Sequence, residues 1–138
     1  MRYLGLDLGT KTLGIAISDK TNILATPLTT LRFENENYEC LIDPLKKIIV
    51  DNKITEIALG LPKNMDSSLG FAAKRSMDFA DMLKKEIDIP IILIDERLSS
   101  VEANNILQNQ GLDNRKRKKI VDEVAAMIIL ESFMKMRG

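Results

Sequence analysis

The chain has 138 residues, 45% of them hydrophobic and 29% charged, with 20 basic against 20 acidic side chains and so no net charge at pH 7. That balance fits one compact domain with a real core and argues against a strongly basic nucleic-acid wrapper, although a local basic patch still acts over a Debye length of about 8–10 Å. The absence of histidine excludes a Ser-His-Asp triad, a Cys-His pair and a His-ligated zinc centre, and the single cysteine, Cys40, excludes an internal disulfide or a thiolate cluster.

The first segment, Tyr3–Leu8, is strand-like, Gly9-Thr10-Lys11 is a turn, and Thr12–Ser18 is a second strand. So short a connection makes the pair an antiparallel hairpin. Ile23–Thr30 is a weaker third strand, and Pro27 within it suits a sheet edge. Cys40 is expected on a half-buried helix. Leu41, Leu45, Ile48 and Ile49 have helical spacing, and Pro44 either starts that helix or bends it. Glu56–Leu61 is a short apolar strand, and Leu69–Glu86 is helical with Ala72, Phe79 and Leu83 on one face.

Ile91–Asp95 follows Pro90 as a continuous apolar run, which reads as a buried parallel strand. Ser99-Ser100-Val101-Glu102 carries a capping-box signature opening a helix to about Gln110, ended by Gly111. Arg115–Lys119 is a basic cluster, and a last helix runs from Ile120 to about Met136, with Val124–Leu130 apolar all round. A hairpin feeding parallel crossovers implies an α/β fold with a mixed sheet and helices on both faces. No repeat or linker divides the chain, so residues 1–138 are expected to form a single domain. No apolar run spans a bilayer and no leader pattern is present, so the expectation is a soluble, cytoplasmic protein without membrane association.

Three acids occupy unusual places. Asp7 interrupts the first strand, Glu96 follows the apolar strand Ile91–Asp95, and Asp122 opens the apolar final helix. Ligand sites in such sheets lie outside the carboxyl ends of parallel strands. An isolated buried carboxylate is costly, whereas converging carboxylates become favourable around a cation. A set of oxygen donors without histidine suits Mg2+ or Mn2+, and two such ions about 3.5–4 Å apart can drive phosphodiester hydrolysis. Plainer readings stand beside this one. Asp7 could cap the turn through Thr10 or Lys11, Glu96 could pair with Arg97, Asp122 could simply favour a helix N-terminus, and Glu123 competes with it there. Lys11, Lys63, Asn64, Arg97, Arg115 and Arg117 are candidate nucleic-acid contacts, with solvated surface as the alternative.

Four segments in this order and spacing, YLGLDLGTKTLGIAIS, ALGLPKNMDSS, IDERLSSVEA and VDEVAAMIILES, resemble the YqgF family over nearly the whole chain. Its members are also called RuvX-like, pre-16S ribosomal RNA nucleases or Holliday junction resolvase-like proteins. The D-L-G-T-K stretch is shared with sugar kinases and Hsp70-type ATPases, whereas GLPKNMD with DERLS is specific. The resemblance implies a ribonuclease H-like fold, with a five-stranded mixed sheet whose first three strands are antiparallel. It also implies a metal-dependent carboxylate site of Asp7, Glu96 and Asp122 and a role in maturing the 5′ end of 16S ribosomal RNA. The chain departs from the family pattern at Glu123, where a small residue is usual, and at Ser67-Ser68, where a glycine is usual.

Rival readings remain. An actin-like ATPase or sugar kinase needs two domains closing on nucleotide, and no second phosphate loop is present. A resolvase of structured DNA would use the same chemistry as a dimer, so the chain is expected to be a monomer or weak homodimer. A non-catalytic RNA-binding assembly factor would need none of the three acids.

Overall fold

The computed structural model describes residues 2–9, 11–21, 24–34, 37–61, 70–95 and 114–137, and within the last segment the side chains of 124–136. Strands β1 (Arg2–Leu8), β2 (Thr12–Ser18) and β3 (Ala25–Arg32) are followed by a 3-10 turn at Tyr38–Leu41 and helix α1 (Ile42–Asp51). Then come β4 (Ile54–Leu61), α2 (Phe71–Lys84), β5 (Ile91–Asp95) and a long helix α3 (Asn114–Arg137). The fold is ribonuclease H-like: one five-stranded sheet in the order β3-β2-β1-β4-β5. β1, β2 and β3 pair antiparallel, while β4 runs parallel to both β1 and β5.

Alternation along the strands decides which helix covers which face. Leu4, Leu6 and Leu8 of β1, Leu13, Ile15 and Ile17 of β2, and Ile57 and Leu59 of β4 join Leu41, Ile42 and Leu45 of the α1 region and Phe79, Ala80 and Leu83 of α2 in one core. The opposite face carries Ala16, Ala58 and Ile94 against Ala126, Ile129, Leu130 and Phe133 of α3. Two helices therefore share one face and α3 covers the other.

The hairpin, the edge position of β3 with Pro27, and Pro44 in the first turn of α1 match expectation. Other details differ. β3 lies two residues later than its pattern suggested, because its pairing with β2 holds register from Ser18–Ala25 to Thr12–Arg32 around an irregularity at Ile15/Ala16. β4 starts at Ile54 because Lys53 adopts a left-handed φ of 54° and hands the chain straight out of α1. In α2 the buried stripe is Ala73, Ser76, Phe79, Ala80 and Leu83, and Ala72 is only half-buried.

β5 is parallel, as expected, but forms the other sheet edge rather than a buried centre, and Leu93 is 37% exposed. α3 begins at Asn114, six residues before Ile120, so Arg115–Lys119 belongs to the helix. Arg and Lys are good helix formers, so the basic cluster extends the helix rather than preceding it. Cys40 is exposed on the 3-10 turn, its Sγ 3.0 Å from the Asn37 carbonyl oxygen. The expected helix from Ser99 to Gln110 lies outside the described residues.

Candidate active site

The approach of α3 to β1 organises the site. At one end of β1, the Tyr3 ring meets Phe133 edge-on, with centroids 5.2 Å apart and planes at 81°. Two residues along, Gly5 faces α3 so closely that a Cβ there would lie 2.6 Å from the Ala126 carbonyl oxygen and 2.7 Å from Leu130 Cβ. No larger residue fits without moving the helix. Gly5 is thus a positioning residue that the sequence reading passed over, and the available signal was a glycine inside a strand.

Asp7 is the next residue of this row. Side chains two apart on a strand share a face, so Tyr3, Gly5 and Asp7 all turn toward α3, while Leu4, Leu6 and Leu8 turn away. Asp7 is half-buried and stands across from Gly14 of β2. Because Phe133 lies by Tyr3 and Ala126 by Gly5, α3 runs antiparallel to β1. The β1–β2 turn is closed by a backbone hydrogen bond, the Gly9 N–H donating to the Thr12 carbonyl at 2.8 Å. Lys11 is exposed at its tip, and its carbonyl accepts from the Phe33 N–H at 3.0 Å.

The carboxyl ends of β1, β4 and β5 open at one rim, since these strands are mutually parallel and Leu61 pairs with Asp95 where β4 and β5 end. Asp95 is exposed there. Among the described residues no group of three or more acidic or sulfur ligands stands ready to hold a metal. Glu96, Lys63, Asn64 and Arg97 lie outside the described residues. Asp122, Arg115 and Arg117 belong to α3, with side chains outside the described residues.

A family model described as "RuvX: Holliday junction resolvase" matches residues 1–136. A protein of Geobacillus sp. strain WCH70, provisionally named a pre-16S rRNA nuclease, is 41% identical over 134 residues, 97% of each chain. A Lachnospira eligens protein with the same provisional name is 42% identical over 135 residues, covering 97% of this chain and 96% of its own. Among solved structures, Thermus thermophilus RuvC in complex with a Holliday junction substrate superposes with a TM-score of 0.64 at 11% identity, over 99% of this chain and 95% of that one. At that identity the likeness speaks for the fold.

Proposed function

We propose that this chain, which belongs to the RuvX family and is a nuclease hydrolysing phosphodiester bonds, cuts with divalent metal held by Asp7, Glu96 and Asp122, and that its natural substrate is pre-16S ribosomal RNA. The observation that carries the site is the Gly5 contact, which clamps α3 against the strand that bears Asp7. Asp122 sits one turn before Ala126, in the direction of Asp7, because α3 runs antiparallel to β1. Ile92 and Ile94 of β5 pack toward α3, and in the proposal Glu96 continues that row.

The donor set fits magnesium or manganese: all ligands are carboxylate oxygens, histidine is absent, and Asp7 is half-buried on a rigid strand. Two such ions, when bound, supply an activated water and charge stabilisation at the leaving oxygen. The chain's own task is to fix carboxylate oxygens from a strand, a strand end and a helix before substrate arrives. Lys11, exposed at the hairpin tip, together with Lys63, Asn64, Arg97, Arg115 and Arg117, is proposed to hold phosphates of the RNA.

The substrate proposal rests on relatives about 40% identical over essentially their whole length, whose provisional names specify pre-16S rRNA. In this reading residues 1–138 act as one nuclease domain in the cytoplasm, as a monomer or weak homodimer; no helix among the described residues is long and apolar enough to cross a membrane. The test offers the chain an RNA carrying the 5′ leader of 16S rRNA and a four-way DNA junction, each with magnesium, manganese or chelator. Metal-dependent cutting of the RNA supports the proposal. Preferential cutting of the junction would transfer the activity to structured DNA, and cutting of neither would leave a non-catalytic RNA-binding assembly factor.

A further inference from the structure

We propose that Phe71, Lys74 and Met77 of α2 form a subsite for single-stranded nucleic acid, in which an unpaired base stacks on Phe71 and Lys74 holds an adjoining phosphate; the inference rests on the nuclease reading above. Phe71 is 91% exposed although it stands at the first position of a helix whose other aromatic, Phe79, is fully buried. The buried stripe of α2 leaves Phe71 no place in the core. With Gly70, Lys74 and Met77 it lines an open hollow of about 430 Å³, roomy enough for a planar base. Gly70 adds no side chain to the hollow, and the adaptable thioether of Met77 supplies an apolar wall.

Place and charge select the occupant. The crossover from β4 through α2 to parallel β5 puts the start of α2 at the rim where the carboxyl ends of β1, β4 and β5 open. Phe71 approaches that rim from the face of the sheet opposite Asp7, so a strand bound across the rim can meet both. The first turn of α2 contains no acid, while Lys74 follows three residues after Phe71. A phosphate-bearing partner is favoured over an apolar peptide by that cation. Stacking on an exposed ring is the sequence-tolerant way to hold single strands, and a duplex keeps its bases out of reach.

The chain has no tryptophan, so Phe71→Trp introduces a lone fluorophore at the subsite. It is titrated with a single-stranded RNA oligonucleotide in EDTA, where nothing is cut, with binding followed in parallel by anisotropy of labelled RNA. The expected result is saturable quenching by the single strand and little by a duplex of the same sequence. Phe71→Ala should weaken single-strand binding about tenfold, and Lys74→Ala should lower the log–log salt slope by about 0.7. Binding by anisotropy without quenching overturns the proposal. So does an emission shift that depends on protein concentration alone, which would assign the hollow to a second copy. Metal-dependent cutting by the unaltered chain is measured alongside. Quenching without cutting keeps the subsite and removes the nuclease reading; cutting without quenching does the reverse.

Discussion

On the face shared by α1 and α2 the central strands present Leu4, Leu6, Leu8, Leu13, Ile15, Ile17, Ile57 and Leu59, whereas toward α3 they present Gly5, Gly14, Ala16, Ala58 and Gly60. Large branched side chains keep helices at arm's length and supply most of the apolar area removed from water. Small ones let a helix backbone touch the strand, as Ala126 touches Gly5. The first face stores stability and tolerates volume-conserving repacking. The second holds α3 in a fixed position over β1, and the row Tyr3, Gly5, Asp7 runs along it to the rim. Stability and positioning are thus divided between the two faces of one sheet, and substitutions can separate them.

The largest effect is expected at the end of the positioning row. Asp7→Asn keeps size and shape but removes the charge proposed to hold a cation, so cleavage should fall by at least ~10³, about 4 kcal/mol of barrier. The melting temperature in EDTA should stay level or rise if Asp7 belongs to the proposed set of mutually repelling carboxylates, because one member of that set is then gone. A mutant that melts earlier in EDTA yet still cuts RNA would make Asp7 a turn-former. On the storage face the signature reverses. Phe79→Ala, at a fully buried ring, should cost about 3 kcal/mol of stability in urea, with kcat on the surviving folded fraction little changed.

Gly5→Ala tests the boundary between these two behaviours. The new methyl would meet a backbone oxygen at 2.6 Å, which cannot rotate away, so α3 must shift. A loss of about 2 kcal/mol is expected, together with a raised metal requirement for cleavage. Lost stability with an unchanged metal titration would mean that α3 positions nothing at the site.

Much of the fold was legible in the sequence. The hairpin, the edge strand with Pro27 and the parallel crossovers follow from local patterns, and Asp7 drew attention as a charge inside an apolar strand. What stayed hidden depends on contacts between distant segments. Nothing local distinguishes Gly5 from any strand glycine until Ala126 is packed against it. Lys53 adopts a left-handed backbone that glycine or asparagine would have announced. β5 reads as a buried parallel strand by composition; it is parallel, but the strand order places it at an edge. α3 starts at Asn114 rather than at Ile120, which gives the basic cluster a helical frame. Replacing Arg115, Lys116 and Arg117 by alanine should reduce the salt slope of RNA binding by about 0.7 for each phosphate contact removed; an unchanged slope would return the cluster to ordinary solvated surface.

The smallest effect belongs to the storage face and concerns how its two helical segments are tied. Lys46 of α1 donates to Glu86, just beyond α2, across 2.9 Å, with both side chains close to half exposed. The hydrogen bond to the Glu86 carboxylate, and then its charge, raise the lysine pKa above its ordinary value, against an opposing effect of desolvation. A raised lysine pKa stabilises the fold fully below the unfolded-state value, and the contribution is lost as pH climbs through the higher folded-state value. Lys46→Met should therefore lower the melting temperature slightly at neutral pH, and the gap to the unaltered chain should close as the pH passes the ordinary lysine range. High salt should narrow it as well, since exposed pairs are screened. Cleavage should not change, because neither side chain touches the α3 face. A gap that persists at alkaline pH and in high salt would trace the loss to the packing of the lysine's aliphatic stem rather than to its charge.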